Sequence, residues 1–379
     1  MSNLKEIPFT ELFERVQDEV RDKSTGTATE AKYKGRINDI YQRDLPGRYK
    51  WSWLRKAGTV QTNADYATGT VAVAVAGSDL TGTDTVWTTG MSNRIIKFGS
   101  NEDIYTFTYV SATTATISPA YTGATALTED TYSIIDNDYS LASDFVDGEL
   151  TEVYYWKNSQ RQYLTRATEE GATSTQNNSR KISQSLVPAT PDKFWIYGTD
   201  SSGYEVMYLT PPPTTALLLY YDYEQILDPM TEYTTGTCAT VNDDETVTGT
   251  GTDFTNNVAA GDVFRMDGNG TSSNSTWYTV DSITDATHLE LTAVWGQATA
   301  STAAYTICKK PVAIPYYMHD ALVWGSCMLS AMDQGDQRQV AYFTQMFTSR
   351  VNEGKRRQER KIKNKRVKTI YEVKSRSAR

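Results

Sequence analysis

The chain has 379 residues, 39% of them apolar, and a formal net charge of −9. That length predicts two or three folded units with sizeable cores. No stretch of about 18 apolar residues occurs, which excludes a hydrophobic membrane-spanning helix. The first ten residues lack the basic-then-apolar pattern of a signal peptide, so the product is expected to stay in the cytoplasm where it is made.

Helical periodicity dominates the first 50 residues. One face of a first predicted helix carries the apolar residues Phe9, Leu12, Phe13, Val16 and Val20. A second helix carries Tyr33, Ile37, Ile40 and Tyr41 on one face. It is expected to end at Leu45-Pro46-Gly47, because proline and glycine disfavour helix continuation. Trp51 and Trp53 follow, and a strand would place both on the same side.

Two threonine-rich segments align with each other as an internal repeat. At an offset of 167 residues, Gly69-Thr70 matches Gly236-Thr237, Leu80 to Thr83 matches Val247 to Thr250, and Trp87-Thr88 matches Phe254-Thr255. At an offset of 173, Tyr105, Val110, Gly123 and Tyr132 match Tyr278, Ile283, Gly296 and Tyr305. We name these segments repeat 1 (residues 66–136) and repeat 2 (residues 234–309). Each is predicted to be a small all-β barrel or sandwich inserted into a loop, with its ends close together.

Deleting both repeats leaves a discontinuous parent formed by residues 1–65, 137–233 and 310–354. The middle part contains three strand-like runs, at Phe194–Tyr197, Glu205–Leu209 and Ala216–Tyr221. Turn residues at 200–203 and prolines at 211–213 separate the runs. This pattern predicts a three-stranded antiparallel β-meander.

The C-terminal part of the parent is again helical in pattern. The first predicted helix places Met318, Leu322, Gly325, Leu329 and Met332 at four- and three-residue steps. Gly335 can end it, and Asp336 can cap a second helix as a capping box with Gln339. The second helix carries Val340, Phe343, Phe347 and Val351 on one face. The predicted fold class is therefore α+β.

Residues 355–379, the basic arm, differ in charge from the rest of the chain. They hold twelve Lys and Arg residues against two Glu, a net charge of +10, which leaves −19 for residues 1–354. Such an arm is expected to bind an acidic partner, and to be disordered or a frayed helix when free. The candidate binding residues are Lys355, Arg356, Arg357, Arg360, Lys361, Lys363, Lys365, Arg366 and Lys368, with the apolar anchors Ile370, Tyr371 and Val373.

Residue patterns that would indicate catalysis or metal binding are missing. His288 and His319 are the two histidines, and no phosphate-binding, hydrolase or zinc-protease motif occurs. His319 is expected to be a satisfied residue at a helix start. The sequence therefore predicts a protein that is not an enzyme and has no cofactor or metal.

Three other kinds of candidate side chain have structural interpretations. Cys238, Cys308 and Cys327 fit no zinc spacing and are expected to be free thiols, although Cys238 and Cys308 could approach each other. The run at 267–270 favours a hairpin turn over a calcium loop. Core packing is expected for Trp51, Trp53, Trp195 and Trp324.

The order of elements in the parent resembles the head-to-tail adaptor proteins of tailed bacteriophages. The resemblance rests on the N-terminal helices, the aromatic stretch 49–54, the segment 139–145, the hairpin 194–221 ending in a Tyr-Tyr-Asp-Tyr pattern, the helix start 314–322 and the Gly335-Asp336 break. The two repeats look like β domains found spliced into phage neck and tail proteins. Together these segments cover nearly the whole chain.

The resemblance implies a structural protein of the virion neck, a head-tail connector that forms a homo-oligomeric ring, usually twelvefold, beneath the portal. The helices would surround the DNA channel, and the basic arm would bind the portal protein. The ring would dock tail and neck proteins, and genomic DNA would pass through it without specific binding or any membrane contact. The β repeats would decorate the outside. Alternatives are a gatekeeper or stopper neck protein, a glycan-binding virion module, and DNA contact by the arm.

Overall fold

The computed structural model describes residues 6–21, 26–99, 103–146, 150, 152–167, 187–266 and 276–376. The fold is mixed α+β, as predicted. The chain divides into two compact units, one formed by residues 1–54 and 226–379 and the other by residues 55–225. Each unit combines a part of the parent with one repeat.

The helices are α1 (Phe9–Val20), α2 (Thr27–Asp39), α3 (Leu45–Gly47), α4 (Phe254–Asn257), α5 (His319–Gln334) and α6 (Gln337–Arg376). The strands of the parent sheet are β1 (Arg55–Gln61), β9 (Asp138–Ser140), β10 (Glu152–Lys157), β11 (Gln160–Arg166), β12 (Lys193–Thr199), β13 (Glu205–Thr210) and β14 (Leu218–Glu224). Repeat 1 contains β2 (Thr70–Val73), β3 (Asp79–Thr83), β4 (Ile95–Phe98), β5 (Ile104–Tyr109), β6 (Thr114–Ser118), β7 (Leu127–Asp130) and β8 (Tyr132–Ile135). Repeat 2 contains β16 (Thr237–Thr240), β17 (Thr246–Thr250), β18 (Val263–Met266), β19 (Tyr278–Ile283), β20 (His288–Leu291), β21 (Ala300–Ala303) and β22 (Tyr305–Cys308), preceded by the short β15 (Glu232–Tyr233).

The N-terminal helices form where the apolar spacing predicts them. All five predicted apolar residues of α1 are buried. A π-helical turn, Ile40–Asp44, joins α2 to α3, so the helical segment ends at Gly47 as expected. Trp51 and Trp53 do not lie on a strand. Ser52–Leu54 form a 3₁₀ turn instead, in which the two indoles stack 5.7 Å apart against the helical core.

The break between α5 and α6 follows the predicted residues. Gly335 has a positive φ of 73°, and the Asp336 carboxylate accepts the backbone N–H groups of Arg338 and Gln339. The reciprocal half of the capping box is wrong, because the Asp336 N–H donates to the Ala331 carbonyl. The face of α6 that carries Phe343, Phe347 and Val351 packs into the helical core.

The predicted β-meander is wrong in its third strand. The strand order is β1-β14-β10-β11-β12-β13-β9. β12 and β13 form the predicted antiparallel hairpin, but β14 pairs with β1 and β10. The three prolines at 211–213 have no N–H to give to a ladder, so the chain leaves β13 there and does not turn back onto it.

The two repeats have the same strand order, as the internal alignment predicts. Repeat 1 has the order β7-β2-β3-β6-β5-β4-β8, and repeat 2 has β21-β16-β17-β20-β19-β18-β22 with β15 added at the edge. Alternate residues from all seven strands of each repeat meet in one core, so each sheet curls around its own interior. A bridge from Tyr66 to Ile134, and its counterpart from Tyr233 to Ile307, bring the two ends of each repeat together.

Candidate functional site

The basic arm continues α6 without a break as far as Arg376. Of its candidate residues, Lys355, Arg356, Arg357 and Arg360 have described side chains. The others lie on the helix with side chains outside the described part of the structure: Lys361, Lys363, Lys365, Arg366, Lys368, Ile370, Tyr371 and Val373. The arm was expected to be either disordered or a frayed helix, and its backbone is helical.

A polar side chain that the sequence analysis missed fixes the root of the arm. Gln358 is buried, its amide Nε2 donates to the Lys50 carbonyl at 2.8 Å, and its Oε1 accepts the Ser52 N–H at 3.1 Å. A Cβ at Gly354 would lie 2.7 Å from the sulfur of Met318, so the helix approaches the bundle closely there. The first turns of the arm therefore belong to the folded body. The one signal in the sequence is an uncharged Gln in a basic run.

Two of the predicted binding residues lie over aromatic rings of the same chain. The Lys355 ammonium lies 5.4 Å from the ring centre of Tyr49, and the Arg357 guanidinium lies 4.6 Å from that of Tyr317. Arg357 also pairs with Glu353, which lowers the pKa of that carboxyl. Arg356 and Arg360 are exposed. The exposed charge of the arm therefore begins at Arg356, before the buried Gln358, and continues at Arg360.

His319 is a satisfied buried residue, as expected. Its Nδ1 accepts the Ile7 N–H at 3.2 Å, and its Nε2 lies 3.0 Å from the Ile314 carbonyl, to which it can donate. Burial lowers the pKa of the imidazole below 6.5, which favours this neutral form. Both ring nitrogens are occupied, so His319 connects the N-terminal segment to the start of α5.

The thiols and the tryptophans also have structural surroundings. The three cysteines are buried and free, as predicted, and burial raises the pKa of Cys238 to about 12 and of Cys308 to about 11.

Trp51 and the partly buried Trp53 and Trp324 pack in the helical core. Trp195 stacks on Tyr208 in the parent sheet. The turn predicted at 267–270 lies outside the described residues. No group of three His, Cys, Asp or Glu side chains in the described ranges is placed to hold a metal.

One face of the parent sheet carries a cluster of aromatic residues that the sequence analysis did not identify. We name it the tyrosine face and define it by Tyr154, Trp156, Arg161, Tyr163 and Tyr220. Tyr154 lies opposite both Tyr163 and Tyr220 in the ladders, and its ring lies 5.6 Å and 5.4 Å from theirs. The Arg161 guanidinium lies over the rings of Tyr154 and Trp156, 4.7 Å and 5.2 Å from their centres.

The tyrosine face is open to solvent. Trp156 is 49% exposed and Tyr163 is 54% exposed, although both are large aromatic side chains. Within the described ranges, no carboxylate lies within 4 Å of the Arg161 guanidinium. A contiguous exposed group of Tyr, Trp and Arg has the composition of the centre of a protein interface.

Comparison of the chain with protein-family models gives no match, and no curated protein sequence matches it significantly. Among the described helices, none is long and apolar enough to cross a membrane.

Proposed function

We propose that the chain is a structural head-to-tail adaptor of a tailed bacteriophage and not an enzyme. It forms a ring beneath the portal, extends the DNA channel and offers a docking surface to tail components. The continuity of α6, from the helical core into the basic arm, is the observation that carries this proposal. A free charged tail could meet any acidic surface, whereas a helix with a fixed root presents its charges at a defined place.

The dimensions of α6 suit an arm that reaches a neighbouring protein. A helix rises about 1.5 Å per residue, so residues 361–376 extend about 24 Å beyond the fixed root. They carry Lys and Arg residues that can pair with carboxylates, and apolar residues that can enter a pocket of a protein partner. The apolar residues would gain nothing from a phosphate backbone, which favours the portal over DNA as the partner.

The test is removal of the arm at a position that spares its root. A chain ending at Arg360 keeps Gly354 and Gln358 and should fold normally, but it should no longer attach to portal-bearing heads of the same phage. A cut after Asn352 is a poorer test, because it also removes the contacts with Lys50 and Ser52.

A matched variant separates charge from helix length. Replacement of Lys361, Lys363, Lys365, Arg366 and Lys368 by Gln keeps the helix and removes five charges. It should weaken attachment strongly and reduce its salt dependence. Attachment that survives both changes would contradict the proposal. If the cut instead removes salt-sensitive DNA binding and leaves attachment unchanged, the arm is a nucleic-acid contact.

A further inference from the structure

The tyrosine face and one end of repeat 2 are exposed surfaces of opposite charge. That end of repeat 2, which we name the acidic tip, consists of residues 241–245 and Val294. Residues 241–245 are all exposed, with Asp243, Asp244 and Glu245 in sequence. Val241 is 53% exposed and Val294 is 47% exposed. The turn lies against the segment that follows β20, because the Asp243 N–H donates to the Trp295 carbonyl at 3.0 Å.

Repeat 1 has the same turn with neutral residues. Ala76 and Asp243 both adopt a positive φ, of 57° and 61°. The Ala76 N–H donates to the Tyr121 carbonyl as the Asp243 N–H does to Trp295. The three residues that correspond to Asp243, Asp244 and Glu245 are Ala76, Gly77 and Ser78. Repeat 1 forms this turn without carboxylates, although the Asp244 carboxylate of repeat 2 accepts the Thr246 N–H at 3.1 Å, so the turn does not require the charges of Asp243 and Glu245.

The tyrosine face has the complementary chemistry. Arg161 lies over two rings and interacts with the Tyr163 side chain, and its solvent-exposed guanidinium can meet a carboxylate in a two-point pair. Lys157 adds a second exposed cation at the same end of the β10–β11 hairpin. Trp156, Tyr163 and the exposed Leu218 offer apolar area beside these charges, which matches the two exposed valines of the acidic tip.

We propose that the acidic tip of one copy of the chain docks on the tyrosine face of a second copy. The partner is a second copy because one chain carries both members of the pair, each exposed. A contact between two different surfaces of identical chains is the head-to-tail type, which generates a ring when the rotation between neighbouring copies closes. The inference rests on the ring of the proposed function, to which it adds one of the subunit contacts.

Two variants of the full chain, each with one added cysteine, test the pairing. Tyr163→Cys places an accessible thiol on the tyrosine face, and Val241→Cys places one on the acidic tip, while the three native thiols are buried. An oxidised mixture should give a disulfide-linked dimer that contains one of each variant. Neither variant alone should give one. Cross-linking of Tyr163→Cys with itself, or no cross-linking in the mixture, would overturn the inference.

Charge reversal supplies the second measurement. Arg161→Glu should reduce cross-linking between the two variants at least about tenfold, because it sets like charges against each other. Replacement of Asp243, Asp244 and Glu245 by the Ala, Gly and Ser of repeat 1 should also reduce it, with the turn intact. Arg161→Glu combined with Asp244→Lys and Glu245→Lys in the partner should restore it, and failure of this rescue would contradict a direct pairing.

The portal test keeps the two proposals apart. A chain that attaches to portal-bearing heads through its arm, but shows no cross-link between face and tip, overturns the pairing and leaves the adaptor function standing. A chain that cross-links but never attaches to heads overturns the adaptor function and retains the pairing.

Discussion

The two β repeats share a strand order, but an equivalent apolar patch outside the core packs against different residues in each. In repeat 2, Val263 and Cys308 lie opposite each other on β18 and β22, and with Trp277 they belong to the helical core. In repeat 1 the corresponding cross-strand pair is Ile95 and Ile135, which forms a small separate cluster with Ile104. A repeated domain has thus kept an apolar patch outside its own core, and the patch packs differently in each unit.

Polar contacts strengthen the attachment of repeat 2. Glu232, on the strand that enters the repeat, accepts from the Thr10 hydroxyl at 2.7 Å and from the Lys34 ammonium at 2.6 Å. Arg265 lies over the ring of Trp277 and pairs with Glu14 on α1 at 3.5 Å. Repeat 2 is therefore an integral part of the helical unit and not a detachable decoration.

The largest effect should come from placing a charge in the shared patch. Val263→Asp puts an unpaired carboxylate among α1, α5 and repeat 2, which should cost about 3–5 kcal/mol. The matched change Ile95→Asp should leave the helices untouched, since Ile95 belongs to a different cluster. Amide hydrogen exchange distinguishes the two outcomes. Val263→Asp should lower the protection of α1 and α5, whereas Ile95→Asp should affect only β4, β8 and their neighbours. Equal loss of helix protection in both variants would refute the comparison.

Asp136, the last residue of repeat 1, and His319, the first residue of α5, predict opposite responses of stability to acid. Burial raises the pKa of Asp136 above 3.8, despite the Asn63 amide and Arg94, whereas burial lowers the pKa of His319 below 6.5. Between its two pKa values a buried carboxyl binds more protons folded than unfolded, so acidification stabilises that region. Between its two values the buried imidazole binds fewer protons folded than unfolded, so acidification below pH 6.5 destabilises the start of α5.

One substitution at each of these two residues should remove the pH dependence of local stability. His319→Gln should abolish the extra loss of protection at the start of α5 between neutral pH and pH 5, and His288→Gln, at the partly exposed histidine of β20, is its control. Asp136→Asn should abolish the opposite trend around β9, which is expected as the pH falls towards 3.8. Local opening free energies from hydrogen exchange, measured from neutral pH down to about pH 4, provide the readout. Slopes that are unchanged in both variants would show that other groups control the response.

Sequence reasoning succeeded where the informative residues lie close together in the chain or recur at one spacing. The apolar face of α1 and the offset between Trp87 and Phe254 are examples, because period and register are local properties. Pairing of β14 with β1 is different, since about 160 residues separate the two strands. β1 also has little apolar alternation, and its partner supplies the buried residues Leu219 and Tyr221.

The candidate surfaces were only partly predictable for the same reason. Charge alone identifies the basic arm, but the hydrogen bonds that Gln358 makes to residues 50 and 52 span 308 and 306 positions of sequence. The tyrosine face brings Tyr220 beside Tyr154, from strands whose pairing no local pattern specifies. The three acidic residues of the acidic tip are visible in the sequence. The structure is needed to show that they are exposed and that the corresponding turn of repeat 1 is neutral.

The smallest effect concerns a buried aromatic position at which the repeat cores differ in hydrogen bonding. The Trp87 indole N–H donates to the Tyr132 hydroxyl at 3.0 Å, whereas Phe254, in the same place in repeat 2, has no such group. The two tyrosine hydroxyls otherwise make equivalent hydrogen bonds. Tyr132 donates to the Thr68 carbonyl at 2.6 Å, and Tyr305 donates to the Thr235 carbonyl at 2.5 Å.

Tyr132→Phe should therefore lower the local opening free energy by about 1 kcal/mol more than Tyr305→Phe, the net value of one buried hydrogen bond. In a double-mutant cycle, Trp87→Phe and Tyr132→Phe should show a coupling of about the same size. The corresponding cycle in repeat 2, Phe254→Leu with Tyr305→Phe, should show less, since only ring packing joins those side chains. Equal coupling in the two repeats would mean that packing, and not the indole N–H, controls this position in both cores.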